Sequence, residues 1–546
     1  MDRAALSRTL AHIARLLALK GENTFKVRAF ENAAEIVAGR EDIEALIREK
    51  RLESVEGIGK AIAGVLTELA ATGRSAVVDS LEAEVPATLP DLLQVPGLGV
   101  KKATALWKEL GVTSLGELEY AIHENRLVAL PGFGVKTQEK LAAGLGFVTA
   151  QGARWKLPEA TRRAEEARDL LLSPAGLAAR VTRVEVAGEL RRGMETVDGV
   201  VLVVACEAPE KLPPVPDRPG APPVTLDAGP LAAFGNRLLQ STGSARHVQQ
   251  LTSLGPRDAL DIPALEERDL YGRLGLPWIP PELREGSCEI DLATRNDLPR
   301  LVEQADLRGI LHVHTTYSDG RGTLEEMLRR TAGLGYSWVG ISDHSPAAAY
   351  ARGLTPERVH EQWREIEKLR PRFPSLTVFR GTEADILPDG SIDYGDAFLA
   401  GFDFVIASVH SGFHLQRAEQ TARLVRAVRN PRVTLLGHAT GRLLLSRRGI
   451  DVDLPAVLAA AGEAGTGVEI NASPHRMDLD WRLGETARRA GVFTSIDPDA
   501  HAPADLENVR WGVLAARKAG FTPSSVLNTL EAGAAAERLA ASRARA

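Results

Sequence analysis

Two kinds of hydrophobic spacing divide the chain. Up to about residue 90, apolar side chains recur every three or four positions, as in Leu6, Leu10, Ile13, Leu16 and Leu17, which is the spacing of one face of an α-helix. From about residue 181, short apolar runs alternate with polar segments, which is typical of strands joined by turns and helices. The pattern predicts an all-α N-terminal region followed by α/β domains.

The apolar runs of the C-terminal region end in side chains that bind metals. His312 and His314 lie two apart in a predicted strand, so both imidazoles are expected on one face, and Asp319 follows in a turn that ends at Gly320. Six more such residues each follow an apolar run: His344, Glu383, His410, His438, Asp499 and His501. Because the carboxyl ends of successive parallel strands meet at one mouth, these side chains are predicted to converge.

A lone His-x-His pair is more often two surface histidines than a metal site. In this chain, however, nine of the twelve histidines lie beyond residue 311, and six of those nine fall on the strand-end pattern. We therefore interpret the cluster as a metal site. Nitrogen and carboxylate ligands without thiolates suit Mn²⁺, Zn²⁺ or iron, and the ligand types do not choose among them.

These residues resemble the ligands of the polymerase and histidinol phosphatase (PHP) domain, over roughly residues 307–546. The resemblance implies a distorted β/α barrel at 306–546 that binds up to three divalent ions and hydrolyses phosphoesters. It gives catalytic roles to Glu383, as a bridge between two ions, and to His344. Arg476 either holds a phosphate through its bidentate fork or forms a surface salt bridge.

A short sequence of two glycines around one apolar residue, followed by lysine, occurs three times in the helical region. Its glycines and lysines are Gly57, Gly59 and Lys60, then Gly97, Gly99 and Lys101, then Gly132, Gly134 and Lys136. The glycines let the backbone turn between helices and expose amides that suit a phosphate oxygen. One copy could be only a tight turn. Three copies resemble the helix-hairpin-helix motif, which holds the DNA backbone without reading bases, so we expect DNA binding by domains 1–90 and 91–150.

Residues 151–305 resemble the palm and thumb of a bacterial family X DNA polymerase, with an α/β nucleotidyltransferase-like fold. The matching segments are 188–196, Phe234-Gly235, Thr242-Gly243-Ser244 and 276–284. The order of hairpins, palm and PHP domain also matches that family along the whole chain. The resemblance implies that Arg192, Gly243 and Ser244 contact a nucleotide.

The palm departs from the family where its metal ligands should be. The family carries Asp-x-Asp on the strand after Arg-Arg-Gly, and the two carboxylates hold paired Mg²⁺ ions. Those positions here are Gly199 and Val201, and the third aspartate position is Thr225. Asp198 and Asp227 stand nearby but are predicted to point to the opposite face of the sheet. Mg²⁺ is therefore expected only if the palm is active.

Three other acidic residues affect the interpretation of the palm. Glu189 occupies the position of a family serine at the triphosphate site, which places a negative charge against a polyanion. Glu289 and Asp291 lie two apart on a predicted strand, and we interpret them as a solvated edge. The apolar run 200–204 predicts a buried strand, so the palm is expected to persist as a scaffold.

Length, charge and cysteine content narrow the classes of protein. A chain of 546 residues is too long for one core. A net charge of −6 argues against general attraction to nucleic acid, so any DNA contact must be local. No apolar run approaches the ~18 residues of a membrane span. With only Cys206 and Cys288 and no signal-peptide pattern at its start, the protein is expected in the cytoplasm.

Three functions remain open. The first is a DNA-repair protein, expected to be a monomer, with 3′–5′ exonuclease or phosphoesterase activity in the PHP domain and an inactive palm, acting on DNA ends, gaps or single strands. The second is an active DNA polymerase in base excision or gap repair, and the third is a DNA-binding scaffold or small-molecule phosphatase. We expect the first, because the polymerase needs carboxylates that the palm lacks.

Overall fold

The computed structural model describes residues 2–149, 154–256 and 259–543, with the backbone alone at 146–149. The chain folds into two compact units. One comprises Met1–Ile122 with Arg126–Thr149, and the other comprises His123–Asn125 with Ala150–Ala546. The fold class predicted from the sequence is confirmed, since a helical region precedes an α/β palm and a nearly closed barrel.

The first unit is helical throughout its described residues. Its helices are α1 (Arg3–Lys20), α2 (Thr24–Gly39), α3 (Ile43–Arg48), α4 (Lys60–Thr72), α5 (Ala76–Glu84), α6 (Val100–Leu110), α7 (Leu115–His123) and α8 (Val135–Thr149). The apolar face predicted for α1 is buried, with Leu6, Leu10, Ile13 and Leu16 fully inaccessible to solvent.

The three glycine-containing turns share one backbone geometry. The first glycine of each has a positive φ, of 89° at Gly57, 86° at Gly97 and 84° at Gly132, a region that glycine adopts without strain. The next residue is apolar and buried in every copy. A helix with an exposed lysine in its first turn follows each time, which is the turn and helix start that the repeat predicts.

In the second unit, the elements before the barrel are those that resemble a polymerase palm and thumb, and we call them by those names. Their elements are β1 (Trp155–Lys156), α9 (Leu157–Leu172), β2 (Arg183–Ala187), α10 (Gly188–Arg191), β3 (Thr196–Val197), β4 (Val200–Ala205), β5 (Val224–Gly229), α11 (Phe234–Thr242), α12 (Ala245–Leu254), α13 (Glu267–Arg273) and α14 (Glu289–Thr294). The sheet has the order β2-β4-β5, antiparallel and then parallel. The predicted buried strand is β4, whose Val200 and Leu202 are fully inaccessible.

The face predicted for Asp227 is wrong. Asp227 pairs with Val203 across the sheet, and Thr225 pairs with Val201. Because Asp227 is two residues from Thr225, both side chains lie on the same face of β5. The Asp227 carboxylate accepts hydrogen bonds from Arg237 and from Ser241 of α11, so the carboxylate is present on that face and is occupied by protein groups.

The strand predicted at Glu289 and Asp291 is also wrong, since both belong to helix α14. Glu289 is 2 % exposed rather than solvated. Its carboxylate lies 2.7 Å from His247 Nδ1 and accepts from the amides of Gly286 and Ser287. Glu289 therefore connects α14 to His247 of α12 and to the loop before α14 through hydrogen bonds.

The rest of the second unit is a barrel surrounded by helices. Its strands are β6 (Gly309–Val313), β7 (Trp338–Ile341), β8 (Thr377–Asp385), β9 (Phe404–Ser408), β10 (Leu435–Leu436), β11 (Gly467–Asn471) and β12 (Thr494–Asp497). Its helices are α15 (Leu324–Gly333), α16 (Pro356–Leu369), α17 (Asp396–Leu399), α18 (Arg417–Val428), α19 (Leu454–Ala464), α20 (Gly484–Arg489), α21 (Val509–Lys518) and α22 (Ala532–Arg543).

All seven barrel strands are parallel and follow the chain order from β6 to β12. The first and last meet at a single bridge between Val313 and Ala500. There the Ala500 amide donates to the carbonyl of His312 at 3.1 Å, and the His314 amide donates to the carbonyl of Ala500 at 2.9 Å. The seam of the barrel therefore lies beside the histidines singled out in the sequence.

Across the described ranges, no single helix combines the length and the apolar character that a membrane crossing requires. A bent pair, Lys60–Thr72 with Ala76–Glu84, meets the criteria of length and composition only when the two helices are taken together.

Candidate metal centre

Glu383 lies at the centre of the histidine cluster. It stands near the end of β8, is 1 % exposed, and has imidazole nitrogens of five histidines around its carboxylate. The nitrogen-to-oxygen distances are 3.2 Å for His312, 3.5 Å for His314, 3.1 Å for His344, 3.4 Å for His410 and 2.9 Å for His438. Glu383 and the imidazoles around it would together hold metal ions at this position.

Two further carboxylates complete the cluster. Asp319 lies 3.4 Å from His344 and 3.5 Å from His501. Asp499 lies 3.5 Å from both His312 and His314. The structure thus brings together all nine residues that the sequence pattern selected, in four overlapping groups whose potential ligand atoms lie within 4.8 Å of one another.

The backbone geometry that brings His312 and His314 together differs from the regular strand alternation that the sequence predicted. The pairing of β6 with β7 shifts register between Ile310 and Val313, and His312 has a φ of 56°. A local bulge therefore aims the rings, rather than the regular alternation of a strand. His438 and Asp499 also have positive φ, at 24° and 51°. Non-glycine residues in this region are strained, and such strain clusters at functional sites.

Carboxylates of the cluster hold two of its imidazoles in the protonated form. Burial lowers the pKa of His410, but Glu383 and Asp385 outweigh it and raise the pKa to about 10. Burial likewise opposes the rise of the His501 pKa to about 10, which Asp319 and Asp499 cause. In the metal-free protein these carboxylates therefore hold imidazolium protons. Metal binding must displace those protons, because an imidazole ligand is neutral.

His314 gives a direct test of the fit between the cluster and a metal. Burial, with the charges of His501 and His344, lowers its pKa, so the ring is neutral. Neither of its ring nitrogens has a hydrogen-bond partner among the described residues. A buried imidazole rarely lacks partners on both nitrogens. The residues present therefore fit a metal ion, while the donor set leaves its identity open.

Supporting carboxylates orient the imidazoles, and sequence reasoning missed them. His312 Nδ1 is hydrogen-bonded to Glu469, and His410 Nδ1 lies 2.7 Å from Asp385. The Asn471 side chain donates to Asp499 at 3.0 Å. Such partners fix the tautomer and direction of metal-binding histidines. The available signal was spacing, because Asp385 is two residues after Glu383, and Glu469 and Asn471 alternate at the end of β11.

Arg476 lies at the edge of the cluster. It is 3 % exposed and its Nε is 3.7 Å from Asp499 Oδ2. Arg476 therefore forms an ion pair with Asp499, but a buried one rather than one on the surface. The predicted contact of this guanidinium with a phosphate stays a prediction.

In the palm, the strand edge where the family carries its metal-binding aspartates has arginine partners instead of histidines. Arg154 donates to Glu189 at 2.9 Å and also hydrogen-bonds Asp198, whose side chain is 74 % exposed. Gly199 and Val201 follow, with Thr225 paired to Val201 on β5. The acidic groups near this edge are therefore paired with arginine.

The three residues predicted to contact a nucleotide have protein partners. Arg192 donates to Glu285 at 2.9 Å and to the carbonyl of Thr242 at 2.8 Å. The Ser244 hydroxyl caps α12 by accepting from the His247 amide at 3.1 Å. A Cβ at Gly243 would come within 2.9 Å of Val248. These contacts hold the thumb against the palm, and nucleotide binding stays a prediction.

Comparison with known proteins agrees with this architecture. Residues 311–472 match the PHP domain, residues 1–75 match a helix-hairpin-helix domain, and residues 89–146 match a SAM-like helix-hairpin-helix tandem. The chain is 27% identical to a "Probable phosphatase" of Aliivibrio fischeri (strain MJ11), over 36% of this chain and 78% of that protein. A "Probable phosphatase" of Caldicellulosiruptor saccharolyticus is 29% identical over 36% of this chain and 80% of its own length.

One relative spans the whole molecule. The "DNA polymerase/3'-5' exonuclease PolX" of Bacillus subtilis (strain 168) is 34% identical over 97% of this chain and 97% of its own length. The match extends through the hairpins, the palm and the barrel, in the order that the structure shows. The chain therefore belongs to the bacterial family X DNA polymerases that carry a C-terminal PHP domain.

Proposed function

We propose that this protein is a cytoplasmic, monomeric DNA-repair enzyme that hydrolyses DNA 3′ ends at the barrel cluster and does not extend them in the palm. The observation that carries the proposal is Glu383, whose carboxylate has five imidazoles within 3.5 Å. The names of the relatives, a polymerase with a 3′–5′ exonuclease and phosphatases, support phosphoester chemistry.

The nine clustered residues would hold up to three Mn²⁺ or Zn²⁺ ions. When bound, the ions supply a hydroxide at neutral pH and neutralise charge on the phosphodiester. Glu383 keeps the imidazoles converged, and its pKa lies well below its usual value because His312, His410 and His344 outweigh burial. Arg476 would grip a non-bridging phosphate oxygen through its planar fork.

The hairpins supply the DNA contact in this proposal. In α4, α6 and α8 the first turn carries Lys60, Lys101 and Lys136, each exposed. Free amides at a helix N-terminus beside a lysine favour phosphate oxygens. Because the chain carries a net charge of −6, these local sites must provide the attraction for DNA ends, gaps or single strands.

The palm has lost the groups that nucleotide transfer requires. Phosphoryl transfer depends on positioning and metal charge, yet Gly199, Val201 and Thr225 offer no carboxylate. Asp227 shares their face but is bound by Arg237 and Ser241. We therefore infer that the palm does not hold paired Mg²⁺ ions.

A nuclease assay and a primer-extension assay on the same purified proteins test the proposal. Wild type and His344→Ala are assayed with Mn²⁺ for release of nucleotides from a 3′-labelled strand and for primer extension. Wild type should degrade the strand and fail to extend it, and His344→Ala should do neither while still binding DNA. His360→Ala, an exposed histidine on α16 away from the cluster, is the matched control and should retain activity. Extension that survives His344→Ala but is lost in Asp198→Ala would refute the proposal.

A further inference from the structure

The palm segment 192–195 makes a direct connection to the PHP domain. Gly193 packs against α21, where an added Cβ would come within 2.6 Å of Leu514 Cγ. Glu195, 7 % exposed, accepts from Trp481 Nε1 at 3.1 Å and from Arg482 Nη1 at 2.7 Å. Family resemblance places this segment in the nucleotide site, but here its carboxylate is buried against the barrel domain.

Glu195 also lies next to Arg442. Its Oε1 is 3.6 Å from Arg442 Nη1, and the same guanidinium donates to Asp480 at 2.7 Å. Burial raises the pKa of Glu195, but the hydrogen bond from Arg482 and the charge of Arg442 outweigh burial and lower it. The carboxylate is therefore ionised and can hold both arginines.

Arg442 in turn holds residues 476–482, which we call the arginine loop. Its Nε donates to the carbonyl of Arg476 at 3.0 Å, and its Nη2 donates to the carbonyl of Met477. The loop is fixed from its other side by Asp478, fully buried, which accepts from the amide of Thr440 at 3.0 Å. These bonds set where the arginine loop places the Arg476 side chain, 3.7 Å from Asp499.

We propose that Glu195 of the palm is a positioning residue for Arg476, so that the palm supports the hydrolytic centre by holding the arginine loop. The contacts run from Glu195 to Arg442 and Arg482, then through the arginine loop to Arg476. This proposal rests on the proposed nuclease function. It gives the palm a role in hydrolysis that requires neither nucleotide nor palm-bound metal.

A second ion pair between the polymerase part and the barrel provides a matched control. Glu282 of the thumb is 8 % exposed and accepts from Arg517 of α21 at 2.6 Å. It resembles Glu195 in charge, burial and the domains that it joins, but its carboxylate pairs with Arg517 and not with the arginine loop. Its backbone carbonyl accepts from Lys518, whose Nζ lies over Trp481, and Glu282→Gln leaves that carbonyl in place. A general effect of loosening the domains would therefore appear in Glu282→Gln as well.

The test is a double-mutant cycle between Glu195 and Arg476. Wild type, Glu195→Ala, Arg476→Ala and the double variant are compared for kcat and KM on bis(p-nitrophenyl) phosphate and on a 3′-labelled oligonucleotide. Since a displacement of about 1 Å in an active site can cost ~100-fold, Glu195→Ala should lower kcat about 10-fold or more. In the Arg476→Ala background it should have almost no further effect. Glu195→Gln keeps one acceptor oxygen but sets an amide NH2 against one of the two donors and removes the charge, so it should recover only part of the loss.

Two measurements separate positioning from general damage. Mn²⁺ binding by calorimetry should be the same in Glu195→Ala and wild type, because the nine clustered residues are untouched. Glu282→Gln should retain wild-type kcat. If Glu195→Ala does not fold, Glu195→Asp replaces it in the same cycle, because the shorter side chain withdraws the carboxylate from Trp481 and Arg482.

The outcomes distinguish this proposal from the one on which it rests. A wild-type protein without Mn²⁺-dependent hydrolysis refutes the nuclease function itself. An active wild type in which Glu195→Ala has no effect, or has an equal effect with and without Arg476, refutes only the positioning role. Equal losses in Glu195→Ala and Glu282→Gln would also refute it and would assign the loss to the domain contact as a whole.

Discussion

The seven-stranded barrel sheet and the three-stranded palm sheet both gather carboxylates at a strand edge, but these carboxylates pair with different cations. In the barrel, Glu383 faces imidazoles. In the palm, Asp227 faces Arg237, and Glu189 faces Arg154. An imidazolium can give up its proton and become a ligand, whereas a guanidinium stays charged and keeps its carboxylate occupied. The comparison indicates that the choice of partner, as much as the presence of acids, decides which site can hold a metal.

Removing the central carboxylate of the barrel should have the largest effect. We expect Glu383→Gln to lower Mn²⁺-dependent 3′ hydrolysis about 1,000-fold or more, because the change removes several kcal/mol of charge stabilisation and each ~1.4 kcal/mol is tenfold. The rate is measured on a 3′-labelled strand, with DNA affinity measured in parallel and expected to be unchanged. Glu367→Gln, an exposed acid paired with Arg370, serves as control. Retention of a tenth of the activity would contradict the comparison.

The second prediction concerns a carboxylate paired with arginine. Burial raises the pKa of Glu267, but the hydrogen bond from Arg191 and the charge of Arg284 outweigh it and lower the pKa to about 2. Against an unfolded value of ~4.3, this depression stabilises the fold by about 3 kcal/mol. Because the folded pKa is lowered, the contribution is complete above pH ~4.3 and is lost as the pH falls towards 2.

Urea unfolding of wild type and Glu267→Gln between pH 7 and pH 2 measures how much the lowered pKa of Glu267 contributes to the free energy of unfolding. The difference between the two proteins should shrink by about 3 kcal/mol over that range, and Mn²⁺ or a chelator should leave it unchanged. Glu266→Gln breaks the neighbouring exposed pair with Arg183 and should cost less than about 1 kcal/mol. A difference that stays constant with pH would show that the carboxylate is not held ionised by its arginines.

Restoring aspartates to the palm should fail, and for a steric reason. A Cβ at Gly199 would come within 2.9 Å of the carbonyl oxygen of Pro223. Gly199→Asp combined with Val201→Asp should therefore lower the free energy of unfolding by about 1–3 kcal/mol without producing primer extension. Val201→Asp alone is the control that adds a carboxylate without this contact. Nucleotide addition by the double variant would show that the palm lacks only the metal-binding carboxylates and is otherwise able to transfer nucleotides.

The smallest effect is expected at the hairpins of the first unit. Gly97→Val and Gly132→Val place a side chain where φ is 86° and 84°, so the turn must change and DNA affinity at fixed salt should fall about tenfold, near 1.4 kcal/mol. Gly111→Val carries similar strain, with φ of 67° at the end of α6, but lies outside the repeat. Equal losses in all three variants would assign the effect to destabilisation rather than to phosphate contacts.

The sequence predicted the cluster well because each ligand ends an apolar run, and parallel strands bring those ends together. It did not predict the supporting role of Glu469 or Asp385, because their spacing from Asn471 and Glu383 does not show which histidine each carboxylate meets. Their partners are set by the register of strands far apart in sequence. Only the folded barrel determines which histidine each one meets.

The predictions for Glu289, Asp227 and the His312 backbone differ from the structure for local reasons. Glu289 was assigned to a strand because a short apolar stretch does not distinguish strand from helix, and the structure places it in α14. Asp227 lies two residues after Thr225 in β5, so the two side chains share a face of the sheet, whereas the prediction placed Asp227 on the opposite face. The bulge at His312 has no sequence signature, since nothing in the residue types announces a positive φ.

The seam between β6 and β12 also has consequences for folding. The Leu311 amide donates there to the Asp497 carboxylate across 186 residues of chain, so forming this contact carries a large loop-closure entropy. One backbone bridge closes the seam, between Val313 and Ala500, and candidate ligands flank it on both strands. A divalent ion held by His312, His314 and Asp499 would connect the two sides of this long-range contact. We expect metal uptake to slow amide hydrogen exchange at this seam more than at any other pair of barrel strands.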